Sequence, residues 1–437
     1  MNLRDFNADG HWYSSYPSLN HWEDMSHAVY AKVLKEFKGP LHLYLHIPFC
    51  AKLCFYCICN LTVTNDRQKI QHFLDILCKE IDLLKPYSPD IRDLHFGGGT
   101  PSHLDQKQFT QLCEKLNELT DLKSIDVAME IDPRTVKQDD LRHYASHGVN
   151  RISFGVQDFN LKVQEAINRV QPSEMIEVLL TPEIRKLFTG VNFDLLYGLP
   201  FQTLETVKET LDKVLQFRPD RLTVLKYCHA PEVRRHMKLI DETALPPKDQ
   251  LRPMFELIVD TLTEAGYLWI GLDHFCLPTD PLSKKVGRTF NGFTSGTTEM
   301  IGLGPTTTGV FGTLYCQSQY HLHDYYESVN KGEFPIFRGY KMSYEDILRR
   351  KVIFDLLCNQ TIDFKLYGTF FDKEASILQD YPDLCSIRNG VLTVTHEGRL
   401  LLRNLCKVFD NKDIEPQHHK IAQYNMVKHA RPLSQPA

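Results

Sequence analysis

Six strand-like runs, each trailed by a helix-like stretch, constrain this chain more than any other feature. Residues 41–46 alternate Leu41, Leu43 and Leu45 with His42, Tyr44 and His46, the period-two pattern of a strand. Behind it Ile70, Phe73, Leu74, Leu77 and Ile81 fall at helical spacing, with Thr64, Asn65 or Asp66 placed to cap the start. Strand-like runs recur at 94–96, 125–131, 151–156, 193–196 and 222–227, with helical stretches between them such as 203–217. Strand-then-helix repetition implies a parallel sheet. Right-handed crossovers curl such a sheet into a doubly wound layer or a barrel, with the chemistry on loops at the carboxyl ends of the strands.

Beyond the sixth unit, 247–267 reads as an amphipathic helix and 268–275 as a strand. Periodicity fades in the Gly- and Thr-rich stretch 280–313, which contains Gly302-Leu303-Gly304-Pro305. Helical patterns dominate from Tyr344, clearest at 345–358 and 398–409, and the tail after Asn411 reads as frayed. The expected organisation is an arm over 1–35, a barrel with its extension over 36–325 (the barrel itself 36–275), and a mainly helical domain over 326–437. A length of 437 residues accommodates two or three domains.

Composition excludes several classes. With 42% hydrophobic and 24% charged residues the chain is neither collagenous nor disordered. A net charge of −5 gives no overall attraction to nucleic acid or to an anionic membrane, so an acidic substrate would have to meet local cations. Residues 1–15 carry no apolar run of the kind a signal peptide needs, and no window reaches membrane-spanning length. A cytoplasmic location is expected. Twelve cysteines in a chain this long do not form a secreted disulfide framework, and four of them fall between Cys50 and Cys59.

Those four, Cys50, Cys54, Cys57 and Cys59, follow the first strand at Cys-x3-Cys-x2-Cys-x-Cys spacing. Thiolates ligate iron–sulfur clusters, and three on one tight loop can hold three irons of a four-iron cube while the fourth stays open for chemistry. The alternative is one Zn²⁺ ringed by four sulfurs, but structural zinc sites more often draw paired cysteines from separate turns. Cys59 as a fourth ligand would close the open iron, so it is read as a nearby thiol with a separate role.

The Cys50, Cys54, Cys57 spacing, with Tyr56 before the third Cys, resembles the signature of the radical S-adenosylmethionine (radical SAM) superfamily. Further motifs occur in the order seen in oxygen-independent coproporphyrinogen III oxidases. These are Tyr44-Leu45-His46-Ile47-Pro48-Phe49-Cys50, Gly97-Gly98-Gly99-Thr100-Pro101-Ser102, Glu130-Ile131-Asp132-Pro133, Gly155-Val156-Gln157-Asp158, Asn168-Arg169, Asp194-Leu195-Leu196-Tyr197-Gly198-Leu199-Pro200 and Asp273-His274-Phe275. The resemblance implies an α/β fold built on an incomplete (β/α)6 barrel. It implies a [4Fe–4S] cluster on Cys50, Cys54 and Cys57, and S-adenosylmethionine, in two molecules, as cofactors. Cleavage of the sulfonium would give a 5′-deoxyadenosyl radical that starts the oxidative decarboxylation of two propionates of coproporphyrinogen III to vinyls, yielding protoporphyrinogen IX in haem biosynthesis. Tyr44, Tyr56, Gly98, Gly99, Thr100, Glu130, Gln157, Arg169 and Asp194 are the expected cofactor-binding residues, with Cys59 and Tyr44 in catalytic roles. Expected partners are a tetrapyrrole substrate and a low-potential electron donor, with no nucleic acid, and the chain is expected to be a monomer.

Each position also has an ordinary reading: a solvated helix face for Arg169, capping for Glu130 and Asp194, a buried amide for Gln157, core packing for Tyr44 and Tyr56. Four positions depart from the family pattern, namely Trp12, Ile58, Val170 and Leu277. Lost cations keep open a related radical enzyme on another tetrapyrrole, such as a haem ring-opening methyltransferase; a third reading is a haem-binding chaperone of the same superfamily, against which Cys59 and the Tyr13-Ser14-Ser15-Tyr16-Pro17 arm count. Arg288, Arg349, Arg350 and Lys351 are candidates to meet substrate carboxylates.

Overall fold

The computed structural model describes residues 2–7, 13–284, 289–290, 293–294 and 299–412. Trp12, Arg288 and the tail beyond Lys412 lie outside the described residues, and so do the expectations attached to them.

Six parallel strands, β1 (Pro40–Ile47), β2 (Asp90–Gly98), β3 (Asp126–Ile131), β4 (Arg151–Gln157), β5 (Gly190–Tyr197) and β6 (Arg221–Lys226), lie side by side in chain order, each followed by helix. Strands of the same sheet continue at both edges and nothing among the described residues closes it, so the barrel is incomplete, as expected. The first crossover helix, Arg67–Leu84, starts where Asp66 accepts from the backbone N–H groups of Gln68 and Lys69. Such a cap is worth about 1 kcal/mol.

Along β3, β4 and β5 the side chains divide by parity. Val127, Met129, Ile152, Phe154, Val191, Phe193 and their neighbours are buried outward under the helices. Ala128, Glu130, Ser153, Gly155, Gln157, Asn192 and Asp194 face inward. A pleat turns successive residues to opposite faces, so the apolar half of the alternation holds the helices while the polar half lines an open interior. The inward face is not filled by large apolar residues, and a cavity of about 560 Å³ remains at the carboxyl ends of the strands.

Where the sequence showed fading periodicity, Met300–Leu303 pairs parallel with β1, and Thr308–Phe311, Leu314–Ser318 and Ile336–Lys341 extend the sheet antiparallel. The single strand expected over 268–275 is a hairpin, Leu268–Gly271 with His274–Cys276, broken at Leu272, which takes a positive φ of 32°. The C-terminal region has its own core, from Val352 to Phe409, into which Leu3, Tyr13 and Tyr16 of the N-terminal segment pack. It is mainly helical, with one three-stranded sheet of Thr361–Asp363, Val391–Val394 and Cys385–Arg388.

Candidate functional site

The cysteine loop leaves β1 at the carboxyl end of the sheet and is tied down from several directions. Asn168, at φ 55°, donates from Nδ2 to the Leu53 carbonyl at 2.7 Å, and the Phe55 N–H donates to the Ile167 carbonyl at 3.0 Å. Carbonyls further along the loop also have partners. His236 Nε2 lies 2.7 Å from Cys57 O, Arg234 Nε donates to Ile58 O at 2.7 Å, and His46 Nε2 lies 2.9 Å from Asn60 O. Fixed carbonyls hold the loop's curvature, which sets where its sulfurs point. Ile58 stays out of the left-handed region, so its backbone does not call for glycine.

Cys50 and Cys54 are buried, Cys57 is half-buried, and Cys59 is exposed toward the cavity that it lines together with Cys57. Thr100 Oγ1 donates to the Cys50 sulfur at 3.2 Å. Arg134 Nη2 and Arg169 Nη1 both reach the Cys54 sulfur, at 3.4 and 3.5 Å. Donors aimed at sulfur suit a thiolate. No three of the loop's thiols lie mutually within 4.8 Å. Sulfurs around a single zinc, with Zn–S near 2.3 Å, would stand about 3.8 Å apart in a tetrahedron. Thiolates bound to different irons of a cube stand farther apart, so the loop fits the cluster better than the ion.

The remaining expected residues line the same cavity. The turn after β2 must be glycine: a Cβ on Gly97 would meet Tyr44 Cε2 at 2.7 Å and Glu130 Oε1 at 2.9 Å, and one on Gly99 would meet the Cys50 sulfur at 3.0 Å. Gly98 takes φ 117°. Close backbone approach to a ligand is what such a turn permits. Tyr44 packs against His95, ring centroids 5.9 Å apart, and His95 Nε2 lies 3.1 Å from Glu130 Oε1. Asp194 accepts from Ser153 Oγ at 2.6 Å and from Asn192 Nδ2 at 2.7 Å, yet burial pushes its carboxyl up to about 6. Gln157 ends β4 in the left-handed region at φ 65°, a strained position for a residue with a Cβ, and its side chain lines the cavity. Tyr56 lines it too, its phenol held neutral by burial.

Arg169 is not on a solvated helix face. It is buried, donates from Nη2 to the Gly155 carbonyl at 2.7 Å, pairs with Asp132 at 3.4 Å, and leaves its buried Nε without a partner. A buried guanidinium N–H with nothing to donate to is a waiting site for an anion. Arg134, absent from the sequence-based candidates, forms a two-pronged pair with Asp132.

The candidate substrate cations are elsewhere. Arg349 is taken by Glu345, Glu374 and the Phe409 carbonyl, Arg350 donates to the Tyr315 hydroxyl, and Lys351 pairs with Asp355. None lines the cavity. Of the departures from the family pattern, Val170 is exposed and Leu277 is buried in the main core.

Residues 44–214 match the model of the radical SAM superfamily. The oxygen-independent coproporphyrinogen III oxidase of Salmonella typhimurium is 37% identical, over 93% of this chain and 94% of the relative. The Escherichia coli protein of the same name is 35% identical over the same shares, and that of Helicobacter pylori 34%. The solved structure of the Escherichia coli coproporphyrinogen III oxidase, described as a radical SAM enzyme, superposes with a TM-score of 0.86 at 35% identity, covering 91% of this chain and 97% of that one.

Proposed function

The chain belongs to the oxygen-independent coproporphyrinogen III oxidase family of radical SAM proteins, and from that premise we propose that it removes two propionate carboxyls of coproporphyrinogen III oxidatively, giving the vinyls of protoporphyrinogen IX. The observation that carries the reading is the convergence, on one cavity, of the cysteine loop, two acidic side chains from β3 and β5, and the buried Arg169 with its unsatisfied N–H.

Cys50, Cys54 and Cys57 would hold a [4Fe–4S] cluster, and S-adenosylmethionine would bind beside it. Bound together, the two supply a strongly oxidising carbon radical for hydrogen abstraction. The protein's own part is positioning and exclusion of water. Arg169 Nε would take the nucleotide's carboxylate. The Gly97–Gly99 turn would admit its amino group, and Glu130, Gln157 and Asp194 would accept or share hydrogen bonds with ammonium and ribose. Tyr44 and Tyr56 wall the cavity. Cys59 faces the cavity as a thiol outside the ligand set, with a role in the reaction distinct from ligation.

A second S-adenosylmethionine beside the first fits a reaction that repeats. A low-potential donor delivers the electrons, and the protein acts as a monomer in the cytoplasm. No helix among the described residues is long and apolar enough to cross a membrane. Phe6 and residues 399–404 of the C-terminal region stand beside the ends of β5 and β6 and would cover that side of the site.

Anaerobically reconstituted protein, given S-adenosylmethionine, a low-potential reductant and coproporphyrinogen III, is expected to release two CO₂ in succession through a monovinyl product. Cleavage of S-adenosylmethionine with the porphyrinogen left intact overturns the substrate assignment. Methyl transfer to haem overturns the reaction class.

A further inference from the structure

The 560 Å³ at the strand ends is of the size that holds a single drug-sized ligand, roughly 300–1,000 Å³. Two nucleotides and a tetrapyrrole together need more. A second cavity, of about 480 Å³, lies directly beyond the end of β6. Lys226, Tyr227 and Cys228 line both cavities, so the two share a wall three residues long. The far side of the second cavity is built by Phe6 and by residues 399–404 of the C-terminal region.

Its chemistry differs from that of the first. Tyr197 and Phe255, stacked at 5.4 Å, give a flat apolar wall, and Phe6 and Tyr227 add ring faces. Lys226, Lys248, Arg399 and Arg403 are among its lining residues, against two acids, Asp273 and Glu232, with the Arg399 guanidinium also stacked on the Trp269 ring at 4.0 Å. Asp273 is already held by Arg403 at 2.7 Å, and Glu232 is exposed. The surroundings are therefore cationic in a chain whose net charge is −5. In the first cavity Arg169 pairs with Asp132 and is assigned above to the nucleotide's carboxylate, and Arg221 pairs with Asp280. Lys226 is half-buried at the common wall, with Nζ 5.7 Å from the Phe6 ring centroid.

Resting on the function proposed above, we infer that this second cavity is the subsite for the acidic side chains of the tetrapyrrole that are not being decarboxylated, with Lys226 as the cation that selects a tetra-acid. A macrocycle whose reacting edge enters the cavity at the cysteine loop reaches past the end of β6, and the carboxylates on its other edge then meet Lys226 first and Lys248 at the exposed rim. A lysine on a partly desolvated wall attracts a carboxylate more strongly than it would in open water, and it gives nothing comparable to an ester of the same ring.

The test uses reconstituted protein and two probes of the same skeleton, coproporphyrin III and its tetramethyl ester, titrated by fluorescence. Lys226→Met is expected to raise the Kd of the tetra-acid at least tenfold and to leave that of the ester within twofold. Lys226→Arg should restore most of the tetra-acid affinity, and Lys248→Met should produce a smaller loss of the same kind. An unchanged Kd in Lys226→Met, or an equal loss for acid and ester, overturns the subsite. If the unmodified protein decarboxylates coproporphyrinogen III while the lysine variant binds normally, the subsite alone falls. If the tetra-acid binds through Lys226 and no CO₂ appears, the subsite stands and the reaction assigned above falls.

Discussion

Arg134 Nη2 lies 3.4 Å from the Cys54 sulfur while the same guanidinium grips Asp132 through Nε and Nη2. Asp132 fixes the fork, and the fork aims one charged N–H at a sulfur that is a ligand in the account above. A charged donor on a ligating sulfur favours the more negative, reduced state of a cluster.

Replacing Arg134 by Gln should therefore move the cluster's midpoint potential to more negative values. A shift of roughly 59 mV corresponds to each tenfold change in a one-electron equilibrium. The reading comes from a redox titration followed by electron paramagnetic resonance, with iron content unchanged. An unchanged potential at full iron occupancy would show that the contact is packing alone.

Gly97→Ala places a methyl 2.7 Å from the Tyr44 ring and 2.9 Å from the Glu130 carboxylate. Both side chains face the cavity, so the shift they are forced into should cost binding of S-adenosylmethionine more than folding. Equilibrium dialysis under anaerobic conditions should show at least tenfold weaker binding, with a melting temperature within a few degrees of the parent.

Burial raises the Asp194 carboxyl to about 6, so it passes from neutral to ionised as the pH rises through that value. A ligand that donates to this carboxylate prefers the ionised form. Affinity for S-adenosylmethionine should accordingly strengthen between pH 5 and 7, and Asp194→Asn should flatten that slope while weakening binding at pH 7. Calorimetric titration across the range reads both.

Glu80 is buried, accepts from the Tyr325 hydroxyl at 2.6 Å and the Gly304 N–H at 2.8 Å, and has its carboxyl pushed up by burial to about 7. Its folded value lies above the unfolded one. Its neutral form thus contributes stability that is complete below about pH 4.5 and is lost as the pH rises through 7. The size is on the order of 3 kcal/mol. Glu80→Gln should flatten the dependence of stability on pH in that window, measured by denaturant unfolding. A slope identical to the parent's would place the source of the pH dependence elsewhere.

The parts of the fold that sequence displayed most clearly are those where one period dominates. β3 to β5 alternate over most of their length, with breaks at Ala128 and at Leu195-Leu196, so their existence was readable. The strands between 300 and 341 were not, because Gly302, Gly309 and Gly339 stand where the alternation would show. Each is glycine for a steric reason, since a Cβ on Gly339 would lie 2.3 Å from the Tyr315 carbonyl and one on Gly309 2.8 Å from the Cys316 sulfur. Strands of three or four residues, as in the C-terminal sheet, are too short for alternation to register.

In the site, the cysteine loop and the glycine turn were legible because their chemistry is carried by local spacing. Arg134, Arg234 and His236 were not, because they reach the loop from 80, 176 and 179 residues away. A single arginine or histidine gives no local sign of such a contact. Arg350 looked like a substrate cation for the converse reason, since its partner Tyr315 is distant in sequence, and of Arg349's acidic partners Glu345 is one helical turn away but Glu374 is distant.

Electron paramagnetic resonance of the reduced, anaerobically reconstituted protein, with and without S-adenosylmethionine, reads the open iron itself. Three thiolates with one open iron predict four irons per chain and a signal whose g-values move when the nucleotide is added. The signal should survive Cys59→Ala and be lost in Cys54→Ala. One zinc per chain, or an iron signal that the nucleotide leaves unmoved and that needs Cys59, would contradict it.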